Sequence, residues 1–349
     1  MSRQKQPLIG DVAKAASVSV ATVSRALRDD GQVAVATRAR VLAVAEQLGY
    51  VADPHASRLR SGRHHTVGLV APRLHWYLSR IVLGVERVLH TANHDLLLIA
   101  IETPKRQSDF LEAASKFARR VDGLLLVDLP SIDGAGERLG GLRTPIVTVG
   151  MTVDGRSSIT IPNRRAAREA TDHLIQLGHR RIGLISVGET EPDGTTASSV
   201  VERLAGYRHA LAAASIDFRP ELVVEGDWSP ASGQAAMAQL LDLAEPPTAV
   251  FVVSDEMAFG AVAEASRLGL SVPGDLSVVG FDDHDLSEVM GLTTVRQSVD
   301  KLGEEAARLL LDQVDRAGQA PEATEWALEL VVRASTAPAP EALTSAPTP

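Results

Sequence analysis

The chain has 349 residues, 45% of them hydrophobic and 23% charged, the balance of a globular protein with room for roughly two or three domains. It holds no cysteine, which excludes disulfides, thiolate metal sites and cysteine nucleophiles, and at 3% aromatic residues its core must be built mostly from Ala, Val, Leu and Ile. The formal net charge of −9 is uneven: residues 1–65 carry ten Lys/Arg against five Asp/Glu, a balance of +5 that leaves −14 for the remainder. Such asymmetry points to a nucleic-acid contact at the N-terminal end.

In "IGDVAKAA", Ile9, Val12, Ala13 and Ala16 share one face at helical spacing and predict a short first helix. "SVS" breaks that rhythm, and Ser19 is a good N-cap for a second helix from about Val20 to Leu27. A third helix, roughly Ala36 to Leu48, ends at Gly49 as a C-terminal stop. Helix, short turn, helix and supporting helix is a helix-turn-helix pattern, with Val12, Ala16, Val23 and Leu27 as its core.

In "YVADPHASRLRSG", Asp53 suits an N-cap and Pro54 a first helical turn. The helix that follows has room for only about seven residues, too short to stand alone in water, and is expected to order against a partner. His64 and His65, beside it, are expected to be solvated.

From Thr66 onward, apolar runs alternate with amphipathic stretches: "TVGLVAP", "HDLLLIAIE", "VDGLLLVDL", "TPIVTVG", "RRIGLIS", "TAVFVVSD" and "LSVVGFDD". Near-continuous apolar strands separated by helices argue for an α/β fold with parallel sheets covered on both faces. Ligand clefts in such sheets open beyond the strand C-termini, where "FVVSD" and "VVGFDD" place acids. The tail "APAPEALTSAPTP" is Pro/Ala-rich and predicted to be disordered over 339–349. No long apolar segment follows the basic N-terminal residues and none approaches the roughly 18 residues of a membrane span, so a cytoplasmic, nucleoid-associated protein is expected.

The motifs "DVAKAASVSVATVSRAL", "TRARVLAVAEQLGYVADPHASRL", "HLIQLGHRRIGLI", "RLAGYRHAL", "EGDWS", "SDEMAFGA" and "LSVVGFDD...LTTVRQ" stand in the order they have in the LacI/GalR family of bacterial transcription regulators, which the chain resembles from about residue 8 to 335. The resemblance implies a helix-turn-helix head (1–50), a hinge helix and linker (51–64), and a two-lobed core like periplasmic sugar-binding proteins (65–338). Its N-lobe would hold about 65–162 and 297–325, its C-lobe about 163–296 and 326–338. It further implies a homodimer on a near-palindromic double-stranded DNA operator, a small effector, no cofactor and no enzyme activity.

The resemblance makes the second helix the major-groove reader. Val20 and Ala21, at its N-terminal end, offer only apolar contact, for example with a thymine methyl. Arg25 can reach guanine in a bidentate contact and is the main base reader, while Ser19, Thr22 and Ser24 suit phosphate oxygens and Arg28 completes the set. On spacing alone, the hydroxyls equally fit a capped, solvated surface helix. Ser17 stands where the family's turn usually carries glycine, and Ala34 where the third helix usually has a Ser cap. In the hinge, Leu59 matches the family's minor-groove wedge, Ala56 the close helix approach, and Arg58 and Arg60 can reach phosphates.

Arg203 and Asp282 match the family's two chief effector contacts, a guanidinium and a carboxylate suited to vicinal hydroxyls. Trp228 matches a residue packing on the ligand's apolar face, Gln297 and Ser254 match lining positions, and Trp76, with Tyr77 beside it, offers an aromatic wall. Ser254 replaces a common Asn, Gly150 and Pro162 a common Asp, and Arg73 a usual Asp or Asn. The effector is therefore expected to be sugar-like, with a phosphorylated or acidic sugar or a nucleoside or base as the alternative. A solute-binding protein would lack the basic head. An enzyme would need a nucleophile elbow, a phosphate loop or metal-spaced histidines, none of which is found, and Asp282 and Asp283 should point to opposite faces of a strand.

Overall fold

The computed structural model describes residues 7–28, 33–50, 63–72, 74–129, 135–188, 198–316 and 318–340. Two units, residues 1–64 and 65–349, pack each within itself.

In the first unit α1 (Ile9–Ala15), α2 (Val20–Arg28) and α3 (Val35–Leu48) enclose Val12, Ala16, Val23, Ala26 and Val41, none more than 1% exposed. Ala26 rather than Leu27 takes the innermost place on the last turn of α2; Leu27 packs only partly against the cluster. Ser19 caps α2 by accepting the Thr22 N–H at 3.1 Å, and Gly49 ends α3 in the left-handed region at φ 63°.

Two local departures weaken this small unit. Ser17 holds the turn at φ 54°, which glycine adopts without steric penalty, and Ala34 precedes α3 with no side-chain cap. Ser17→Gly is expected to stabilise the head by about 0.5–1 kcal/mol, and Ala34→Ser by about 1 kcal/mol. Hydrogen exchange at the Val23 and Val41 amides of the full chain would read this. Faster exchange in Ser17→Gly would show that the serine side chain, not the turn's backbone, matters there.

The second unit runs β1 (Thr66–Ala71), α4 (Trp76–Thr91), β2 (Asp95–Ala100), α5 (Pro104–Phe117), β3 (Gly123–Val127), α6 (Ala135–Gly140), β4 (Ile146–Val149) and β5 (Ser157–Thr160). It continues through α7 (Asn163–Gln176), β6 (Ile182–Val187), α8 (Ser198–Ala213), β7 (Val223–Gly226), α9 (Pro230–Leu241), β8 (Ala249–Val252), α10 (Asp255–Arg267) and β9 (Ser277–Asp282). It ends with β10 (Thr293–Arg296), α11 (Val299–Asp315), β11 (Ala323–Glu325) and β12 (Glu329–Val331).

The strands form two six-stranded sheets, ordered β11-β5-β4-β3-β1-β2 and β12-β10-β9-β8-β6-β7. All neighbours are parallel except β12, which runs antiparallel to β10. In each sheet the order reverses at the first strand: β1 lies between β2 and β3, and β6 between β7 and β8. The connections leaving adjacent strands there go to opposite faces and leave a crevice at the strands' C-terminal ends. The chain passes from the first sheet to the second after β5, returns after β10, and crosses again between β11 and β12. Helix α11 seats on α4 at close range: a Cβ at Gly84 would lie 1.9 Å from the Asp300 carbonyl oxygen, and one at Gly303 2.3 Å from that of Ile81. Only glycine permits that approach.

Each of the seven apolar runs is a strand, and five further strands escaped the pattern: β5, β7, β10, β11 and β12. They are three or four residues long, and two of them bury hydroxyls rather than aliphatic groups. The Ser157 Oγ accepts the Glu322 N–H at 2.8 Å, and Thr294 donates to Asp255 at 2.6 Å. His65 is half-buried rather than solvated, its ring 5.2 Å from that of His94. The tail from residue 341 lies outside the described residues. Among the described residues no helix is long and apolar enough to cross a membrane.

Candidate functional sites

Helix α2 divides by exposure. Ser19, Val20, Ala21 and Arg25 are exposed and Thr22 and Ser24 half-buried, whereas Val23 and Ala26 face the core at 0%. A helix with a valine 41% exposed beside hydroxyls and an arginine offers a small, flat surface able to approach a groove. Arg28 ends this helix, and Arg38 ties α3 to it through a bond from Nε to the Ala26 carbonyl at 3.2 Å. Ala56, Leu59 and Arg60 of the hinge lie outside the described residues, as does Arg73.

The crevice between the two sheets is built around Arg203 and Asp282. Asp282 ends β9 and Arg203 projects from α8, 5% exposed. The Arg203 guanidinium lies over the Phe281 ring, 3.6 Å from its centroid, and donates from Nε to Asn163 Oδ1 (2.8 Å) and from Nη1 to the Val253 carbonyl (2.5 Å). Gln297 donates to Asp282 Oδ1 at 2.6 Å and is itself fixed by Trp326, whose ring N–H reaches its carbonyl. Burial pushes Asp282 up to about 8 against the pull of Arg203. Burial also lowers Arg203, with Asp282 the foremost group pulling it back up. The Gln297 Oε1 is buried with no hydrogen-bond partner, an acceptor awaiting a donor.

Asp283, one residue beyond the end of β9 and on a left-handed backbone at φ 58°, turns into ion pairs with Arg296 (2.6 Å) and Arg333 (2.7 Å), so the backbone turn rather than strand alternation separates it from Asp282. Asp255, the acid of "FVVSD", is fully buried and accepts from the Thr294 and Ser287 hydroxyls and the His284 N–H at 2.6, 2.6 and 2.8 Å. It ties down the loop after β9 rather than facing the crevice. Ser254 caps α10 by accepting the Met257 N–H at 3.3 Å, which leaves its O–H as a donor.

The first sheet contributes Tyr77 and Asp128. The Tyr77 side chain is buried, and its hydroxyl lies beside the Asp128 carboxylate without a hydrogen bond of good geometry. Burial pushes the tyrosine up and Asp128 to about 6. The sequence alone does not single out Asp128 or Asn163 as part of the crevice. The signal for Asp128 was present, since "LLLVD" is another apolar run ending in an acid.

The aromatic wall extends across both lobes. The Trp228 ring, on a backbone at φ 73°, stacks on His75 at 6.4 Å and 13° between planes, and His75 stacks on Tyr77 at 6.0 Å. Trp76 faces away from this stack: its ring meets His284 at 4.5 Å, its indole N–H reaches Asp285 at 3.1 Å, and its backbone N–H reaches Glu256. With Arg80 3.8 Å from Asp285, these contacts clasp α4 of one lobe to the loop after β9 of the other. The structure thus brings Arg203, Asp282 and Gln297 together and sets Trp76 in the clasp. Among the described residues no group of His, Asp and Glu is arranged to hold a metal ion.

A head of three helices and a core of two doubly wound lobes enclosing a polar crevice define a ligand-responsive DNA-binding protein as the class of molecule. Residues 8–53 match the family described as bacterial regulatory proteins, lacI family, and residues 171–336 the periplasmic binding protein-like domain. The chain is 35% identical to the HTH-type transcriptional repressor CytR of Escherichia coli K12 over 346 residues, 93% of this chain and 95% of that protein. The solved complex of the transcriptional regulator CelR with cellobiose is 33% identical, with a TM-score of 0.68, covering 94% of this chain and 99% of that one. The Lac repressor dimer bound to operator and the anti-inducer ONPF is 28% identical, with a TM-score of 0.81, covering 95% and 100%. The chain belongs to the LacI family of bacterial regulatory proteins and is a DNA-binding transcriptional regulator, not an enzyme.

Proposed function

We propose that this protein is a homodimeric repressor of carbohydrate-utilisation genes, acting on a near-palindromic operator in the cytoplasm. Its operator affinity is switched by a small sugar-like effector held between the core lobes. The observation that carries the reading is the buried Arg203–Asp282–Gln297 set, which ends in an unpaired acceptor inside a crevice walled by Tyr77, His75 and Trp228. Carboxylate, guanidinium and amide groups over an aromatic stack match a ring bearing vicinal hydroxyls. The cellobiose in the related complex is a ligand of that kind.

In this reading Arg25 reads bases, Ser19, Thr22, Ser24 and Arg28 hold phosphates, and Val20 and Ala21 offer apolar contact. Leu59 wedges the central base step, with Ala56 and Arg60 beside it. The ligand shifts the population between two lobe arrangements that differ in how they present the paired heads. Gel shifts on operator DNA with and without sugars test this; no operator binding under any condition would sink it. Leu59→Ala is expected to weaken specific binding about tenfold or more while leaving ligand affinity nearly intact. A large loss of ligand affinity in that variant would contradict the hinge assignment.

A further inference from the structure

The N-terminal ends of β1, β2 and β3, at the opposite end of the sheet from the crevice, bring together three titratable side chains. His65 precedes β1, His94 precedes β2 and Asp122 precedes β3. The His94 and Asp122 side chains are 9% and 6% exposed, and their Nε2 and Oδ2 atoms lie 3.8 Å apart. His94 Nδ1 lies 2.9 Å from the Ala92 carbonyl oxygen, which can only accept, so this nitrogen carries the proton of the neutral ring. Nε2 then turns only a lone pair toward the carboxylate, and among the described residues it has no hydrogen-bond partner. The His65 ring packs 5.2 Å from that of His94, its own Nδ1 also buried without a hydrogen-bond partner among the described residues.

We propose that His65, His94 and Asp122 form a proton-operated fastening where the chain from the head enters the core, tightening operator binding as pH falls from 8 to 6. A proton added at His94 Nε2 turns two facing acceptors into an imidazolium–carboxylate pair, and burial keeps that attraction from being screened away. One proton is taken, since a second on His65 would set two imidazolium rings 5.2 Å apart. What the pair holds is the entry point itself. His65 is the first residue of the second unit, on a left-handed backbone at φ 48° that a non-glycine residue keeps only where its surroundings fix it. Its carbonyl accepts the Asp95 N–H at 2.8 Å, next to His94, and the Thr66 carbonyl accepts the Asp122 N–H at 2.8 Å. Drawing His94 and Asp122 together therefore fixes the two strand starts that bracket residues 65 and 66. A head tethered at a fixed point loses less freedom when it docks. The neighbouring elements bring further charges to this end of the lobe. They are Arg63 and His64 ahead of β1, His90 at the end of α4, Asp95 in β2, and Arg119 and Arg120 ahead of β3. The end of α11 adds Asp315 and the pair Asp312–Arg316, 3.2 Å apart. His64 and His90 are the histidines whose contribution has to be separated from that of His94.

Two measurements on the full chain test this. Operator affinity, followed by fluorescence anisotropy at constant ionic strength without effector, should rise about three- to tenfold from pH 8 to pH 6. His94→Asn keeps a donor at the place of Nδ1 but takes no proton, and should flatten most of that rise. Asp122→Asn, whose amide cannot hold an imidazolium, should do the same. His64→Gln and His90→Gln should keep it. A rise as steep in His94→Asn as in the native chain, or one abolished by His64→Gln or His90→Gln, overturns the proposal. Hydrogen exchange gives the second measurement and needs no variant. After correction for the intrinsic rate, the Asp95 and Asp122 amides should be about three- to tenfold better protected at pH 6 than at pH 8. Equal protection at the two pH values overturns the fastening even if operator affinity varies. If no DNA binds at any pH, the function proposed above falls, and the exchange measurement still decides the fastening.

Discussion

Replacing Arg203 by methionine should destabilise the core by about 3–5 kcal/mol above pH 8 and abolish the effector response. Methionine keeps much of the side-chain volume over the Phe281 ring, so the loss is not a cavity effect. What disappears is the donor pair to Asn163 and the Val253 carbonyl, and the buried cation facing Asp282 and Asp128. Each acceptor left without a partner costs about 1–3 kcal/mol, and an uncompensated buried charge costs more. The deficit should shrink as pH falls from 9 toward 5. Asp282 and Asp128, already pushed up to about 8 and about 6, rise further without the guanidinium and take up protons that remove their charge. Denaturant melts across that range measure this; a deficit constant with pH would mean that the arginine acts through packing alone.

Asp282→Asn should separate stability from function. The asparagine oxygen still accepts from Gln297 Nε2, so the local geometry is kept. The ligand loses the carboxyl group as a hydrogen-bond partner, worth about tenfold in affinity, and the change in operator binding shifts to correspondingly higher effector concentration. The stability effect has the opposite sign. In the native protein Asp282 titrates at about 8 against an ordinary value of 3.8, so it binds its proton more tightly folded than unfolded. The stability it contributes is fully present below about pH 4 and is lost as pH rises through about 8. The variant lacks this slope and at pH 9 should be at least as stable as the native chain. Calorimetric melts at pH 5, 7 and 9 give the comparison. A variant that melts lower at pH 9 would show the aspartate to be stabilised rather than strained in its ionised form.

Both expectations depend on how separate stretches of chain meet, and the sequence reveals those stretches unequally. The head is local: apolar residues at helical spacing, Ser19 as a cap and Gly49 as a stop place α1, α2 and α3 within a residue of their observed ends. Long aliphatic strands announce themselves in the same way, because burial on both faces leaves no room for polar residues. Strands β5 and β10 do not. Their serines and threonines read as polar surface until Glu322, Asp255 and other partners far along the chain are found beside them.

The site follows the same division. The helix-turn-helix head, the α/β core and the family were legible in the sequence, and its motif matches singled out Arg203, Asp282, Gln297 and Trp228 as candidates, because each sits in a short motif whose spacing is local. What fills the space above Gly150 is set by the whole fold. Asp128, 22 positions earlier on the neighbouring strand, fills that space because β3 and β4 are paired side by side. The same holds for Trp76, which serves as a clasp because it bonds Asp285, 209 residues away. A single chain position carries its residue type and its local conformation, but a partner brought up by sheet pairing or lobe closure is set by the whole fold.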